Sequence, residues 1–405
     1  RKGGLLVVFG RRRVGKSRLL HQWLRQNGGL YSQAMEGPVE MQLQQLMADI
    51  GPVLGTTLEP RTWPAILELL SLQKKPWTLC VDELPYLTAT APSLPSQLQR
   101  WLDHSIPKGC LLILAGSSTA MMNDLFLHRS APLYGRAQKL LHVQPMDYAA
   151  FCKACKLKPR DAESFEMYSL VGGIPKYWEF VGDSQDAIGL AEALYFDFAP
   201  YMEQEPQRIL RDEGVHGANP LAVLEAIGRG AERPSEISQR LGTAQTNLSR
   251  VFQQLLDASV LARELPYGEN IRSTKKTLYR IQDPTLRFWF RVYSPHRSRW
   301  MRYDAKEKRQ LIHAHASTVF EDACRARYPD SGRYWEKDIE IDLIAPDPAA
   351  AKGLVIAEVK WSKLTIAAKR RLMEDLEARW KRTTLSRKHR GPVRFEILDA
   401  SADWA

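Results

Sequence analysis

The chain is 405 residues long, 44% hydrophobic and 25% charged. That is too long for one compact core and too apolar for bulk disorder, so about three or four globular modules are expected. Its longest apolar run, residues 110–115 (CLLILA), is far too short to cross a bilayer, which excludes a membrane partner. The opening RKGGLLVVFG has no initiator methionine and no secretory h-region, so a cytoplasmic protein is expected, with native residues preceding this start. Five sparse cysteines (Cys80, Cys110, Cys152, Cys155, Cys324) read as reduced thiols, in keeping with that compartment. The net charge is +11, and residues 360–394 alone carry 12 Lys/Arg against 3 Asp/Glu. Such a field attracts polyanions, nucleic acid among them; the plainer reading is a solvated helical face.

In chain order, residues 5–9, 30–33, 77–81, 111–115 and 139–143 are short apolar runs suited to parallel strands. Helical patterns at 16–27, 39–51 and 63–72 lie between them, which predicts an α/β sheet covered on both faces. After Pro145 the strand signals stop, and residues 146–213 read as helices broken at 172–175 and at Pro200. A helix–helix–helix–hairpin pattern begins near Pro220, and a mixed, more basic region runs from about Arg287 to the end. The expected modules are a core at 1–145, a helical lid at 146–215, a third module at 216–285 and a basic domain at 286–405.

Gly10-Arg11-Arg12-Arg13-Val14-Gly15-Lys16-Ser17 fits G-x-x-x-x-G-K-[ST], follows an apolar strand and, through Arg18, enters a helix. Glycines let successive backbone N–H groups curl around phosphates, and the helix N-terminus adds partial positive charge. Lys16 is then placed to reach the β- and γ-phosphates, and the Ser17 hydroxyl to ligate Mg²⁺. These residues predict binding of a nucleoside triphosphate such as ATP. The strand at 77–81 ends in Asp82-Glu83. Asp82 at a strand end would hold Mg²⁺ through water, and Glu83 would orient or deprotonate the attacking water. The strand at 111–115 runs into Gly116-Ser117-Ser118, where a serine could sense the γ-phosphate or simply start a loop.

The runs FGRRRVGKSRLL, TLCVDELPYL, LLILAGSSTAMM, APLYGRA and VGGIPKYW closely resemble the archaeal-type ATPases, an AAA-related group often placed with the signal-transducing STAND NTPases. The resemblance covers nearly the whole chain. It implies an α/β P-loop NTPase core with a helical lid, nucleotide and Mg²⁺ roles for Lys16, Ser17, Asp82 and Glu83, and a sensor role for Ser117 or Ser118. Arg136, in Leu-Tyr-Gly-Arg, takes the place of an arginine finger or sensor. Gly173-Ile-Pro175 resembles the G-x-P element that packs against adenine, though it reads equally as a helix-breaking turn. The family also implies a segment before the first strand, outside this sequence.

Residues 221–227, 234–241 and 244–258 are three helical patterns, followed by strand patterns at 260–265 and 277–281, which together predict a winged helix. Thr246, Asn247, Ser249 and Arg250, early in the third helix, have the hydrogen-bonding chemistry to face DNA bases; a protein-facing lid or dimer module is the competing use. Cys152-Lys-Ala-Cys155 has no second Cys/His pair, so chance helical placement is preferred over zinc. Arg287-Phe-Trp-Phe-Arg is read as a core helix start rather than a base-stacking platform.

Glu340 and Asp342 alternate on one strand pattern, Glu358 and Lys360 on the next, and Glu321 lies on the helix before both. Clustered carboxylates suit a divalent metal, and the lysine could stabilise charge at a scissile phosphate; solvated strand-end charges are the alternative. The order E…xD…ExK resembles the PD-(D/E)XK nuclease-like fold, which the archaeal-type ATPases also carry at their C-terminus. By that resemblance Asp342, Glu358 and Lys360 are the central catalytic trio with Glu321 accessory, Glu321, Asp342 and Glu358 are the metal ligands, and Glu340 is a further candidate. The leading expectation is therefore a cytoplasmic Mg²⁺-dependent ATPase switch acting on DNA, with a nuclease-like C-terminal module and homo-oligomer formation open. The alternatives are a non-cleaving ATP-dependent DNA-binding regulator and a STAND-like scaffold that binds protein.

Overall fold

The computed structural model describes residues 3–401 apart from 185, 272, 273 and 275, and its contacts group into two units. The first comprises residues up to Pro145 together with Ile174–Lys176 and Arg208–His216. Its centre is a five-stranded sheet of β1 (Gly4–Phe9), β2 (Leu30–Gln33), β3 (Thr78–Asp82), β4 (Leu111–Gly116) and β5 (Lys139–His142). The strands are all parallel, in the order β2-β3-β4-β1-β5. Alternate residues feed two cores. Leu5, Val7, Leu79, Val81, Leu112 and Leu114 pack on one face, under α2 (Val39–Leu54), α3 (Trp63–Ser71), α4 (Leu84–Thr90) and α5 (Leu94–His104). Val8, Cys80, Ile113 and Ala115 pack on the other with Leu20 and Leu24 of α1 (Lys16–Asn27). Burial on both faces explains why these strands read as continuous apolar runs. Helix α6 (Thr119–Phe126) follows β4.

The second unit contains the helical segment, the module after Gly217 and the C-terminal region. Helices α7 (Tyr148–Cys155), α8 (Ala162–Val171) and α10 (Ala187–Ala191) lie in it, while the residues of α9 (Pro175–Trp178) and α11 (Glu205–Asp212) are divided between the two groupings. Next come α12 (Ala218–Gly228), α13 (Pro234–Leu241) and α14 (Gln245–Asp257), then an antiparallel pair, β6 (Leu261–Glu264) and β7 (Leu278–Ile281). That is the expected element order for 216–285. Thr246, Asn247, Ser249 and Arg250 are exposed, while Leu248, Val251, Phe252 and Leu255 turn inward. Short helices α15 (Pro284–Phe288) and α16 (Ser294–His296) lead to the long α17 (Ala305–Ala326). Phe288 and Phe290 are fully buried, so the aromatic run is core, as expected.

The C-terminal region continues as β8 (Gly332–Glu336), β9 (Ile339–Pro346), β10 (Leu354–Lys360), α18 (Ile366–Arg382), α19 (Thr384–Lys388) and β11 (Val393–Asp399). The sheet order is β11-β10-β9-β8, antiparallel from β8 to β10, with β11 parallel to β10.

The expected separate lid at 146–215 differs from the observed grouping, and the reason is packing. Phe165 on α8 meets Phe320 on α17 and Trp361 after β10 at ring-centroid distances of 5.5 and 4.6 Å. The buried His315 ring lies 2.8 Å from the Ser169 carbonyl, and burial lowers its pKa to about 3, so it sits there neutral. Arg309 adds ion pairs to Glu163, Glu166 and Asp186. The helical segment thus shares one core with α17, while Ile174–Lys176 and Arg208–His216 group with the sheet unit.

Candidate functional site: the loop after β1 and the carboxylates of the C-terminal sheet

Residues 10–17 leave the carboxyl edge of β1 and enter α1. Gly10 and Gly15 have φ of 148° and 104°, and Arg13 has φ 69°. A Cβ on Gly10 would come within 2.3 Å of the Val143 carbonyl, so the first glycine of the motif is sterically required. Val14 is buried and anchors the loop, whereas Arg12 and Arg18 are exposed and Arg11 and Arg13 are half-buried. Lys16 is 5% exposed, and its Nζ donates to the carbonyls of Gly10 (2.8 Å) and Arg11 (3.1 Å). Burial lowers its pKa, an effect opposed by the charges of Glu83, Asp82 and Glu213. The ammonium is thus held over the mouth of the loop by weak neutral acceptors, which an anionic phosphate readily outcompetes.

Asp82, at the end of β3 and 1% exposed, is the hub of the acidic edge. Its Oδ2 accepts from Ser17 Oγ (2.7 Å) and from the Tyr31 hydroxyl (2.9 Å), and its Oδ1 accepts from the Glu83 backbone N–H (2.9 Å). Burial pushes the Tyr31 phenol upward, with the Asp82 charge adding to the shift, so this donor keeps its proton. Glu83 has φ 58°, a left-handed conformation that costs a non-glycine residue about 1 kcal/mol. Its Oε2 accepts from Ser117 Oγ (2.6 Å) and, more loosely, from the Ser117 N–H (3.3 Å). The strained turn and the serine clamp together fix the carboxylate beside the tip of β4.

Two carboxylates that sequence reasoning did not single out complete the setting. Arg12 of the loop forks onto Asp212 at 2.9 and 2.7 Å, and this hydrogen bond raises the arginine's pKa. The buried Glu213 accepts from Ala120 N (3.1 Å) and Ser118 Oγ (3.3 Å) at the start of α6. Ser118 is also the N-cap of α6, accepting from Met121 N. Of the two serines, Ser117 therefore meets the acidic edge and Ser118 the helix start. Pro175 begins α9 within the stretch that groups with this unit.

Arg136 lies elsewhere. It precedes β5, where Gln138 N bonds the Leu5 carbonyl near the start of β1, so it belongs to the amino edge of the sheet, opposite the loop. There it is held by Asp103 (2.9 Å) and the Pro132 carbonyl (2.9 Å). The expected sensor position does not reach its own chain's loop, because a parallel sheet separates the two ends of a strand by the strand's full length.

In the C-terminal sheet Asp342 on β9 and Glu358 on β10 each adjoin the last paired residues, Leu343 and Ala357. Asp342 Oδ2 accepts from Val359 N at 2.8 Å. The buried Glu358 uses both oxygens on cations: Oε1 with Lys360 Nζ (2.7 Å) and Oε2 with Arg379 Nη2 (2.6 Å). Arg379 is itself held by the Glu340 carbonyl (2.6 Å) and by Asp375 (2.9 Å). Burial, followed by the Asp342 charge, pushes Glu321 up to about 7; burial and the Glu358 charge likewise raise Asp342. The Glu340 carboxylate is exposed and pairs with Arg333. Among the described residues no group of three or more His, Cys, Asp or Glu is arranged to hold a metal ion. This departs from the expected ligand set of Glu321, Asp342 and Glu358, because Arg379 and Lys360 supply the charge that a cation would bring. Cys152 and Cys155 are thiols on α7 with pKa values raised by burial.

Residues 2–181 match the family described as "ATPase domain predominantly from Archaea", and residues 289–372 match "Archaea bacterial proteins of unknown function". An uncharacterized protein of Methanocaldococcus jannaschii is 27% identical over 398 residues, covering 92% of this chain and 86% of that protein. Among solved structures, the Walker-type ATPase paby2304 of Pyrococcus abyssi is similar with a TM-score of 0.54 and 21% identity. That likeness, one of fold, covers 71% of this chain and 91% of the other. Residues 2–181 are thus similar in sequence to an archaeal ATPase domain, and the chain is similar in fold to a Walker-type ATPase. No helix of the described residues is long and apolar enough to cross a membrane.

Proposed function

We propose that this protein is an Mg²⁺-dependent ATP-hydrolysing switch that acts on DNA through its C-terminal half without cutting it. The observation that carries the ATPase reading is the pairing of two adjacent carboxylates with different tasks. Asp82 takes the Ser17 hydroxyl, and Glu83 is clamped by Ser117 with its second oxygen outside that clamp. The donor set fits magnesium, which favours oxygen ligands and uses one or two protein groups alongside phosphates. Ser17 and Asp82 would hold the ion, which when bound neutralises charge on the β- and γ-phosphate oxygens. Lys16 leaves the Gly10 and Arg11 carbonyls to pair with the phosphates, and the N–H groups of residues 10–17 cradle them. Glu83 orients the attacking water and accepts its proton. Pro175, by its resemblance to a G-x-P element, would pack against adenine.

For the second half, three features support DNA as the partner: the exposed Thr246, Asn247, Ser249 and Arg250 on α14, the basic stretch 360–394, and the strand order of the C-terminal sheet. An α17–β8–β9–β10–α18–α19–β11 succession with three antiparallel strands and a parallel fourth supports the PD-(D/E)XK-like reading of the fold. Against cleavage, a divalent ion at Glu358 would have to displace Arg379 from a 2.6 Å ion pair.

The test is Glu83→Gln, which keeps the side chain's shape and its acceptor for Ser117 while removing the base. ATP affinity should persist while turnover falls roughly 10²- to 10⁴-fold. Equal turnover in both proteins refutes the hydrolytic assignment. Plasmid nicking in Mg²⁺ or Mn²⁺ that is lost in Glu358→Ala would replace the non-cleaving reading with a nuclease.

A further inference from the structure

A cleft of about 900 Å³ lies where the starts of α13 and α14, the β6–β7 pair and the end of β8 meet. Its walls carry Arg233, Arg263, Lys276 and Lys337 beside Trp335, with Glu336 as the one acidic residue. Glu336 is committed to the fold, accepting from Thr384 N (2.7 Å), the Thr384 hydroxyl and the Tyr334 hydroxyl (2.8 Å). These bonds hold its carboxyl down to about 2.

The cations are far less committed. Arg263 Nε is buried without a hydrogen-bond partner, and its Nη2 reaches the Tyr279 hydroxyl only at 3.4 Å. Arg233 and Lys276 meet Glu236 and Glu269 at 3.5 and 3.6 Å through largely exposed side chains, pairs that solvent competes for. Lys337 stands in a left-handed turn, φ 55°, between β8 and β9. The walls are tied together, since Tyr267 N donates to the Arg333 carbonyl (2.8 Å) and Tyr279 N to the Glu232 carbonyl (2.8 Å). The cleft is therefore pre-formed, lined by loosely paired cations, and of a volume that suits one or two nucleotides.

We infer that this cleft seats the phosphodiester backbone of a DNA strand, with Trp335 offering an aromatic face to an unpaired base. This rests on the DNA reading above and gives it an address apart from the exposed face of α14. Phosphates satisfy the open guanidinium and ammonium donors, and a base on an indole is a sequence-tolerant contact. The cleft joins the module after Gly217 to the C-terminal sheet, so one strand contacts both.

The experiment measures binding of the full chain to a fluorescent single strand and to its duplex across a salt series. The double variant Arg233→Gln/Lys337→Gln removes two exposed cations and should flatten the log–log salt slope by about 1.4 units on the single strand and about 1.8 on the duplex. Trp335→Ala should weaken the single strand roughly fivefold or more, and the duplex less. Trp335→Phe, which keeps an aromatic face and the wall packing, should restore most of that loss. If the wild-type chain binds DNA with the same slope and affinity as the variants, this seat is refuted while the DNA reading stands. If the wild-type chain binds neither form at low salt, the DNA reading itself falls and this inference with it.

Discussion

Glu213 is the buried carboxylate whose removal tests the wiring of the nucleotide unit most directly. It arrives at the end of the Arg208–His216 stretch and holds the N-terminal turn of α6 through Ala120 N and Ser118 Oγ. Glu213→Ala leaves the Ala120 N–H, and part of the Ser118 hydroxyl's bonding, without a partner. A buried donor stranded in this way costs about 1–3 kcal/mol. For a domain of this size the melting temperature should drop by roughly 2–10 °C. Because Ser117, next in the same turn, clamps Glu83, turnover should fall several-fold as that carboxylate loses its fixed position. Glu213→Gln keeps an acceptor for Ala120 N and should lose less than Glu213→Ala in both readings.

The pH dependence sharpens the test. Burial raises the Glu213 pKa above its ordinary value, an effect that the Ala120 and Thr119 backbone bonds only partly oppose. The folded protein therefore holds this proton more tightly than the unfolded chain, and stability falls as pH rises from the ordinary carboxyl range through the raised folded value. Glu213→Gln has no such proton to lose, so the stability difference between wild type and variant should shift in the variant's favour over that window. Denaturant unfolding from pH 4 to 8, monitored for both proteins, reads the difference directly. A pH-independent difference, or an Ala variant as stable and as active as wild type, refutes the coupling assigned to Glu213.

Two further outcomes are expected. Ser17→Ala removes the hydroxyl that bonds Asp82 Oδ2, and should raise the Mg²⁺ concentration needed for half-maximal ATP turnover while nucleotide binding without metal changes little; a titration at fixed ATP checks this. Asp322→Asn should destabilise the second unit by about 3–5 kcal/mol, because Asp322 is the shared counter-charge of Arg280, Arg287 and Arg325. Burial alone would raise the Asp322 pKa, yet Arg287, Arg280 and Arg325 outweigh it and hold the carboxyl well below its usual range. Its contribution is therefore present above the ordinary Asp pKa and lost as pH falls toward the folded value, so wild type and variant should converge in acid unfolding.

The nucleotide loop was legible because its chemistry is local. Eight consecutive residues carry the turn, the donors and the lysine, and the flanking strand and helix follow from the apolar patterns on either side. Asp82 and Glu83 were legible for a similar reason, as polar residues closing a buried strand. Tyr31 and Glu213 were not, since their roles depend on which strand lies beside β3 and on a return of the chain long after the sheet is complete. Arg136 shows the converse. A motif can mark an arginine, but only the strand order shows that the start of β5 and the end of β1 lie at opposite edges. The lid boundary was missed on the same grounds: Phe165 reads as an ordinary apolar position on a helix, and only the fold supplies Phe320 and Trp361 as its neighbours.

The C-terminal carboxylates mark where periodicity gives way to tertiary electrostatics. A period of two correctly put Glu340 with Asp342, and Glu358 with Lys360, on adjacent strands of one sheet. Two such carboxylates brought together need positive charge, and from the strands alone a divalent ion is a natural source. The helix after β10 offers another. Arg379 lies four residues beyond Asp375, so one turn of α18 lets Asp375 hold its Nε, while Nη1 meets the Glu340 carbonyl and Nη2 meets Glu358. A guanidinium fastened at three points has already lost its rotamer freedom, so its pairing with Glu358 costs little further entropy. Lys360, two residues from Glu358 on the same face, completes the neutralisation. A residue of the basic stretch that sequence inspection assigns to DNA is thus spent inside the domain. The balance of charge at Glu358 is set by α18, whose approach to the sheet no strand pattern contains.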